Sequence, residues 1–277
     1  MGLHAQVAAL GRPVSGVAVT ALAAVAIAVA PRPSSAQEVV DSGRFLISQN
    51  GRPIRTEEFS FQQIGDSLVV TSNSWLLADP AVGQAAWIAD STSRTASFDK
   101  GATLVVGAMD YGLREYWSAA AIGPDTMRRA ITLGGVDVDT AYTSYREFDG
   151  AGTADRLMLP PGRVYILDQP LFTTFNVIVR SLANSTFDHR PITMMVLGAR
   201  DSVLQATVTH LGTETIRWGA RPVVARKLRI ADTRTAFTAW ASQDGRLLRL
   251  QQPQAAITLE RIAPKVPALR NRPPRSR

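Results

Sequence analysis

The chain has 277 residues and a formal net charge of +7, with no cysteine. The missing thiols exclude disulfides, cysteine-ligated zinc, a thiol nucleophile and lipid attachment to an N-terminal cysteine. The length gives room for one large β domain, or two small ones, whose core needs no covalent staple.

Arg12 precedes an apolar run, 14–30, dominated by Ala and Val. Pro31 and Pro33 then interrupt any helix, and Ser34, Ser35 and Ala36 supply small residues. A positive start, an apolar centre and a small-residue exit predict a secretory signal over 1–36, cleaved after Ala36 to leave Gln37 first. The alternative is an uncleaved anchor, since the run sits at the lower limit of the ~17–25 residues that span a bilayer. No later stretch predicts a transmembrane span. The expected location is therefore periplasmic or secreted.

The positive charge is unevenly placed. Arg12 and Arg32 lie in the signal, and Lys265, Arg270, Arg272, Arg275 and Arg277 lie in a Pro-rich tail, 263–277, without acids. Residues 37–262 then hold 23 basic and 23 acidic residues. A neutral globular part argues against nucleic acid as a partner, and the tail composition predicts disorder. Such a tail either stays solvated or touches anionic lipid or lipopolysaccharide.

Strand signals begin at 43–49 and run into Asn50-Gly51, a pair that tolerates positive φ and suits a tight hairpin. Residues 54–64 alternate, placing Phe59 and Phe61 on one face, and Gly65-Asp66 turns the chain into 68–70. Further strands are predicted at 85–89, 102–106, 113–122, 127–133 and 142–147. Residues 149–162, with three Gly and two Pro, read as a loop. A strand at 164–168 follows. Leu171, Phe175, Ile178, Val179 and Leu182 fall at helical spacing, so 170–182 predicts one amphipathic helix with Pro170 in its first turn. Strands follow at 192–197, 202–211, 214–218, 223–230, 235–241, 246–250 and 256–262, with Asp244-Gly245 as a hairpin turn. The pattern predicts a mainly β fold, an antiparallel curved sheet or open barrel wrapped on one central helix. A single domain over 37–262 is expected, with two subdomains meeting near 150–162 as the alternative.

Chemistry-bearing motifs are scarce. His189 and His210 lie in separate segments without ligand spacing, which favours surface or hydrogen-bonded histidines over a zinc site. Asp137 and Asp139 share a face if 136–140 is extended, either as a calcium-binding pair or as a solvated edge. No nucleophile elbow, phosphate loop or dinucleotide fingerprint is present. No catalytic residue, metal or cofactor is assigned on this reading. Aromatic residues at strand and helix positions would either line an apolar cavity or fill an ordinary core: Phe59, Phe61, Trp87, Trp117, Phe172, Phe175 and Trp240.

The segment from Ala225 to Ile230, then Trp240, the Asp244-Gly245-Arg246 turn, a Leu-rich strand and a closing strand ending in Arg261 form the most distinctive stretch. Together with Gly51 to Phe61 and Ile166-Leu167-Asp168, it resembles exported bacterial proteins of unknown function. The outline is similar to periplasmic lipoprotein carriers and glycolipid-binding proteins. That resemblance implies an open, curved β-barrel around a helix and, by fold analogy, a lipid or apolar ligand. The plain reading of the same residues is structural: Trp240 and Leu248 anchor neighbouring strands, and Arg246 and Arg261 pair with edge carboxylates such as Glu260.

Three functions follow in order. The first is an exported, non-enzymatic protein holding an apolar or amphiphilic ligand between sheet and helix. The second is a structural or protein-interaction module of the cell envelope. The third is a hydrolase whose site is assembled by the fold, with His189 or His210 as candidates.

Overall fold

The computed structural model describes residues 38–77, 99–122, 125–133, 141–148, 150–158, 163–198 and 201–264. The signal segment, the strand expected at 85–89 with Trp87, the Asp137/Asp139 pair and the tail beyond 264 lie outside the described residues. Among the described residues, fifteen strands form one sheet. The first eight are β1 (Glu38–Gln49), β2 (Arg52–Ile64), β3 (Ser67–Leu76), β4 (Lys100–Gly107), β5 (Leu113–Ile122), β6 (Asp125–Leu133), β7 (Ala141–Phe148) and β8 (Ala151–Met158). After β9 (Val164–Leu167) comes the helix α1 (Thr173–Ser181). The chain closes with β10 (His189–Val196), β11 (Ser202–Trp218), β12 (Arg221–Ala231), β13 (Ala236–Ala241), β14 (Leu247–Gln252) and β15 (Ile257–Arg261).

The strand order is β8-β7-β6-β5-β4-β3-β2-β1-β15-β14-β13-β12-β11-β10-β9. Two meanders are thus joined edge to edge by the β1–β15 ladder, in which Phe45 opposes Arg261. The ladders are antiparallel except β9–β10, where α1 supplies the crossover that a parallel pair needs. The sheet is open and curved, with β8 and β9 at its two ends. It rolls far enough that side chains of β4, β5 and β6 reach the β9–β10 end: Lys100, Tyr116 and Ser118 meet Asp168, and Arg129 meets Asp201.

Turn chemistry explains the meanders. Asn50 and Gly51 both adopt positive φ, 51° and 75°, the twist a two-residue hairpin requires. Alternation explains the core. Residues 57, 59 and 61 of β2 point inward beside Phe45 and Ile47, and Leu68 and Val70 of β3 continue the same face. Val164, Ile166 and Met195 are buried as well as Tyr165 and Met194, so β9 and β10 are covered on both faces.

The structure differs from the sequence reading in four places. Residues 151–158 form β8, not loop: Gly150 (φ 70°) turns the chain, and pairing with β7 carries a segment whose Gly and Asp give it little strand propensity. Pro170 lies before the helix, in a turn with a cis Gln169–Pro170 bond, and α1 starts at Thr173. The strands expected at 202–211 and 214–218 are one bent strand, whose register shifts between His210 and Thr213 around Gly212. Arg261 pairs with Asp41, 220 residues away, rather than with Glu260, which Arg249 holds instead.

Candidate functional site

The helix α1 carries apolar residues on nearly every side, and most of it is buried. Its own residues provide no side-chain cap at the N-terminus. The sheet provides one: Glu57 of β2 accepts from the backbone N–H of Phe172 at 2.7 Å and of Thr173 at 2.9 Å. The Ser72 hydroxyl donates to the same carboxyl at 2.6 Å, and the Thr173 hydroxyl also donates to it. Burial pushes the Glu57 carboxyl above its ordinary value, while these hydrogen bonds pull the other way.

The sheet caps the other end too. Arg226 of β12 donates to the carbonyls of Leu182 at 3.1 Å, Ala183 at 2.8 Å and Ser185 at 3.3 Å. An acid at the N-terminus and a base at the C-terminus both have the sign that the helix dipole favours. Between them, Asn176 accepts from the backbone N–H of Leu247 at 2.9 Å, and its amide faces Asp41 at 3.4 Å. Asp41 in turn is gripped by the Arg261 guanidinium at 2.6 and 3.1 Å, and that guanidinium stacks over Phe59. A further anchor precedes the helix. The Lys100 ammonium reaches Asp168 at 2.5 Å and the carbonyl of Gln169 at 2.7 Å. Tyr116 and Ser118 complete the Asp168 shell at 2.6 and 2.8 Å. Burial draws the Lys100 ammonium below its usual value and lifts the Tyr116 phenol well above it, the neighbouring Asp168 opposing the first shift and adding to the second.

Among the described residues, two spaces of different character border this frame. Between the start of α1 and β3–β5 is a gap of about 20 Å³, bordered by Ser72, Tyr116, Asp168 and Thr173. That is room for a single water with polar partners. At the other end of α1, an open cleft of about 530 Å³ runs between the loop 183–188, His210 in the middle of β11, Arg226 in the middle of β12 and Gln243 in the turn after β13. Its shape depends on Gly245 (φ 80°), where a Cβ would come within 2.7 Å of the Ala183 side chain. Phe187 stands in it, edge-on to His210 with ring centroids 6.5 Å apart and with Arg226 over its face at 6.0 Å. Among the described residues, the side chains of Asn184, Asp188, His210 and Gln243 have no hydrogen-bond partner there.

The residues singled out from sequence fall into separate places. Phe59 and Phe61 pack edge to face at 5.9 Å on the inner face of the sheet, and Phe59 stacks on Phe45 at 4.6 Å. Phe172 and Phe175 belong to α1 and its entry; Phe175 meets Phe237 at 4.5 Å. These four share one core. Trp117 lies elsewhere: it is 40% exposed, because its neighbours Tyr116 and Ser118 take the inward positions of β5. Trp240 is buried in a second, smaller cluster with Ile216, Ala225 and Leu248, flanked by the cations of Lys227 and Arg249. Trp87 is outside the described residues. His189 is exposed and touches Thr209, whereas His210 lines the open cleft, so the two are not brought together. Among the described residues, no three or more His, Asp or Glu gather to hold a metal ion, and no helix is long and apolar enough to cross a membrane.

Sequence reasoning missed the buried ionic anchors. Glu57 had a signal: at period two it shares the face of Phe59 and Phe61, a charged residue at a core position. Asp41, Lys100 and Asp168 had none, since their partners come from distant strands.

No family model and no curated protein matches the chain. Three solved chains match. One is the crystal structure of a β-barrel-like protein of domain of unknown function DUF1849 from Brucella abortus, 7% identical with a TM-score of 0.49, covering 80% of this chain and 94% of that one. The chain is thus weakly similar to a β-barrel-like protein of unknown function.

Proposed function

We propose that this chain is an exported, non-enzymatic binding protein of the cell envelope, in which the curved sheet and the helix form a fixed frame. The observation that carries this reading is how the interior charges are engaged. Asp41, Glu57, Asp168, Lys100 and Arg261 are each saturated by partners that hold α1 and its entry in place. Groups held this way serve position rather than proton transfer, while the side chains of Asn184, Asp188, His210 and Gln243, without hydrogen-bond partners among the described residues, line the outer cleft. Export rests on the charged, apolar and small-residue parts of residues 1–36. The test is the intact mass of the protein recovered from each cell compartment. A chain beginning at Gln37 outside the cytoplasm is the expected result; a full-length chain retained in the cytoplasm would overturn the reading.

A second reading keeps the apolar ligand between sheet and helix, as in lipoprotein carriers and glycolipid-binding proteins. The single apolar core that Phe59, Phe61 and Phe237 share with Phe172 and Phe175 of α1 and its entry favours it. Burying an acyl chain contributes ~0.8 kcal/mol per CH₂. The gap of about 20 Å³ beside α1 is too small for such a chain, so a lipid entering there would have to displace the helix from its anchors.

A further inference from the structure

We infer that the open cleft at the C-terminal end of α1 is a binding site for a neutral saccharide of one or two rings. This rests on the binding-protein reading above and names its ligand class. Size comes first: about 530 Å³ lies within the range of sites that take one small organic ligand. Charge comes second. The Arg226 guanidinium is turned to three main-chain carbonyls, and Asp188 adds one carboxylate, so the cleft offers an anion no free cation and a cation no carboxylate cluster.

Polar chemistry comes third. Asn184 and Gln243 each bring an amide that donates and accepts, Asp188 accepts, and His210 presents ring nitrogens. None of these side chains has a partner among the described residues, whereas Glu57, Asp168 and Asp41 deeper in the fold are paired. A ligand that satisfies them must both donate and accept at closely spaced positions, which is what the hydroxyls of a sugar ring do. Phe187 adds the aromatic part of the lining: with Arg226 over one face and His210 at its edge, what it offers is apolar surface for the C–H groups of a sugar ring. An acyl chain, by contrast, would leave these groups desolvated and unpaired.

The cleft is also built rather than incidental. Arg226 fixes the loop after α1 by its carbonyls, and the β13–β14 turn packs against Ala183 only because residue 245 is glycine. The site is therefore held open by the same contacts that end the helix.

The experiment is calorimetric titration of the mature chain with maltose, cellobiose and N,N′-diacetylchitobiose, repeated on Phe187→Ala and Gln243→Ala. Gln243 is exposed, so its variant tests the site without disturbing the fold. The expected result is saturable one-site binding of at least one disaccharide, weakened about tenfold in either variant, the scale of losing a central contact. Absence of saturable binding to all three, or binding equally tight in both variants, overturns the inference. If export and the mature mass hold while the titrations fail, only the saccharide assignment falls.

Discussion

Glu57 caps α1 from a strand 115 residues upstream: its carboxyl accepts the backbone N–H of Phe172 at 2.7 Å. With Arg226 on the carbonyls at the far end, the sheet supplies both caps that the helix lacks in its own sequence. The helix of nine residues is too short to be stable alone in water, so its existence depends on these contacts and on burial.

Glu57→Gln turns one acceptor oxygen into a donor facing backbone N–H groups, and the expected cost is about 1–3 kcal/mol of stability. A pH dependence follows. Burial raises the folded-state value above the ordinary 4.5, so between the two values the folded chain holds a proton that the unfolded chain has released. The stability from this group is full below 4.5 and is lost as pH rises through the folded value. Glu57→Gln lacks that slope. Urea melts of both proteins should show the gap between them widest at acid pH and narrowing as pH rises; a gap that widens with pH contradicts this.

Lys100→Met leaves Asp168 buried without its cation. Breaking one side of such a pair costs about 3–5 kcal/mol. The same contact joins β4 to the entry of α1 across the roll of the sheet, so α1 amides should lose hydrogen-exchange protection along with global stability. Unchanged protection in α1 would show that the contact does not hold the helix.

Much of the fold was legible because it is local. Asn50-Gly51, Gly65-Asp66 and Asp244-Gly245 mark turns by φ alone, and Phe59 and Phe61 mark a face by period two. The helix was legible from Phe175, Ile178, Val179 and Leu182. What pins it was not, because Glu57, Lys100 and Arg226 meet it only after the sheet has rolled. β8 was missed for the opposite reason: its residues have weak local preference, and pairing with β7 decides. The cleft was invisible in sequence, since Phe187, His210 and Gln243 lie on three separate elements.

Gly43 sits under the Arg261 stack. A Cβ there would come within 3.1 Å of the Phe59 ring and 3.2 Å of the guanidinium. Gly43→Ala should therefore cost about 1–3 kcal/mol through overpacking beside the Asp41–Arg261 pair. Thermal melts that leave Gly43→Ala as stable as the parent would mean the stack yields without penalty.

Phe175 and Trp117 are both aromatic, yet their roles should differ. Phe175→Ala opens a void at the centre of the core, and about 3–5 kcal/mol should be lost. Trp117, 40% exposed, should be replaceable by Ala within about 0.5 kcal/mol. Denaturant midpoints of the two variants check this, and equal losses would contradict the separation of inner and outer faces.

The most direct measurement is native mass spectrometry of the mature protein, isolated from an exported preparation and then extracted with organic solvent. With α1 fixed inside the sheet, the expected result is the bare mass of the chain from Gln37 and no lipid in the extract. A lipid bound in stoichiometric amount would contradict it, showing that the helix gives way and that the interior, rather than the outer cleft, is the binding site.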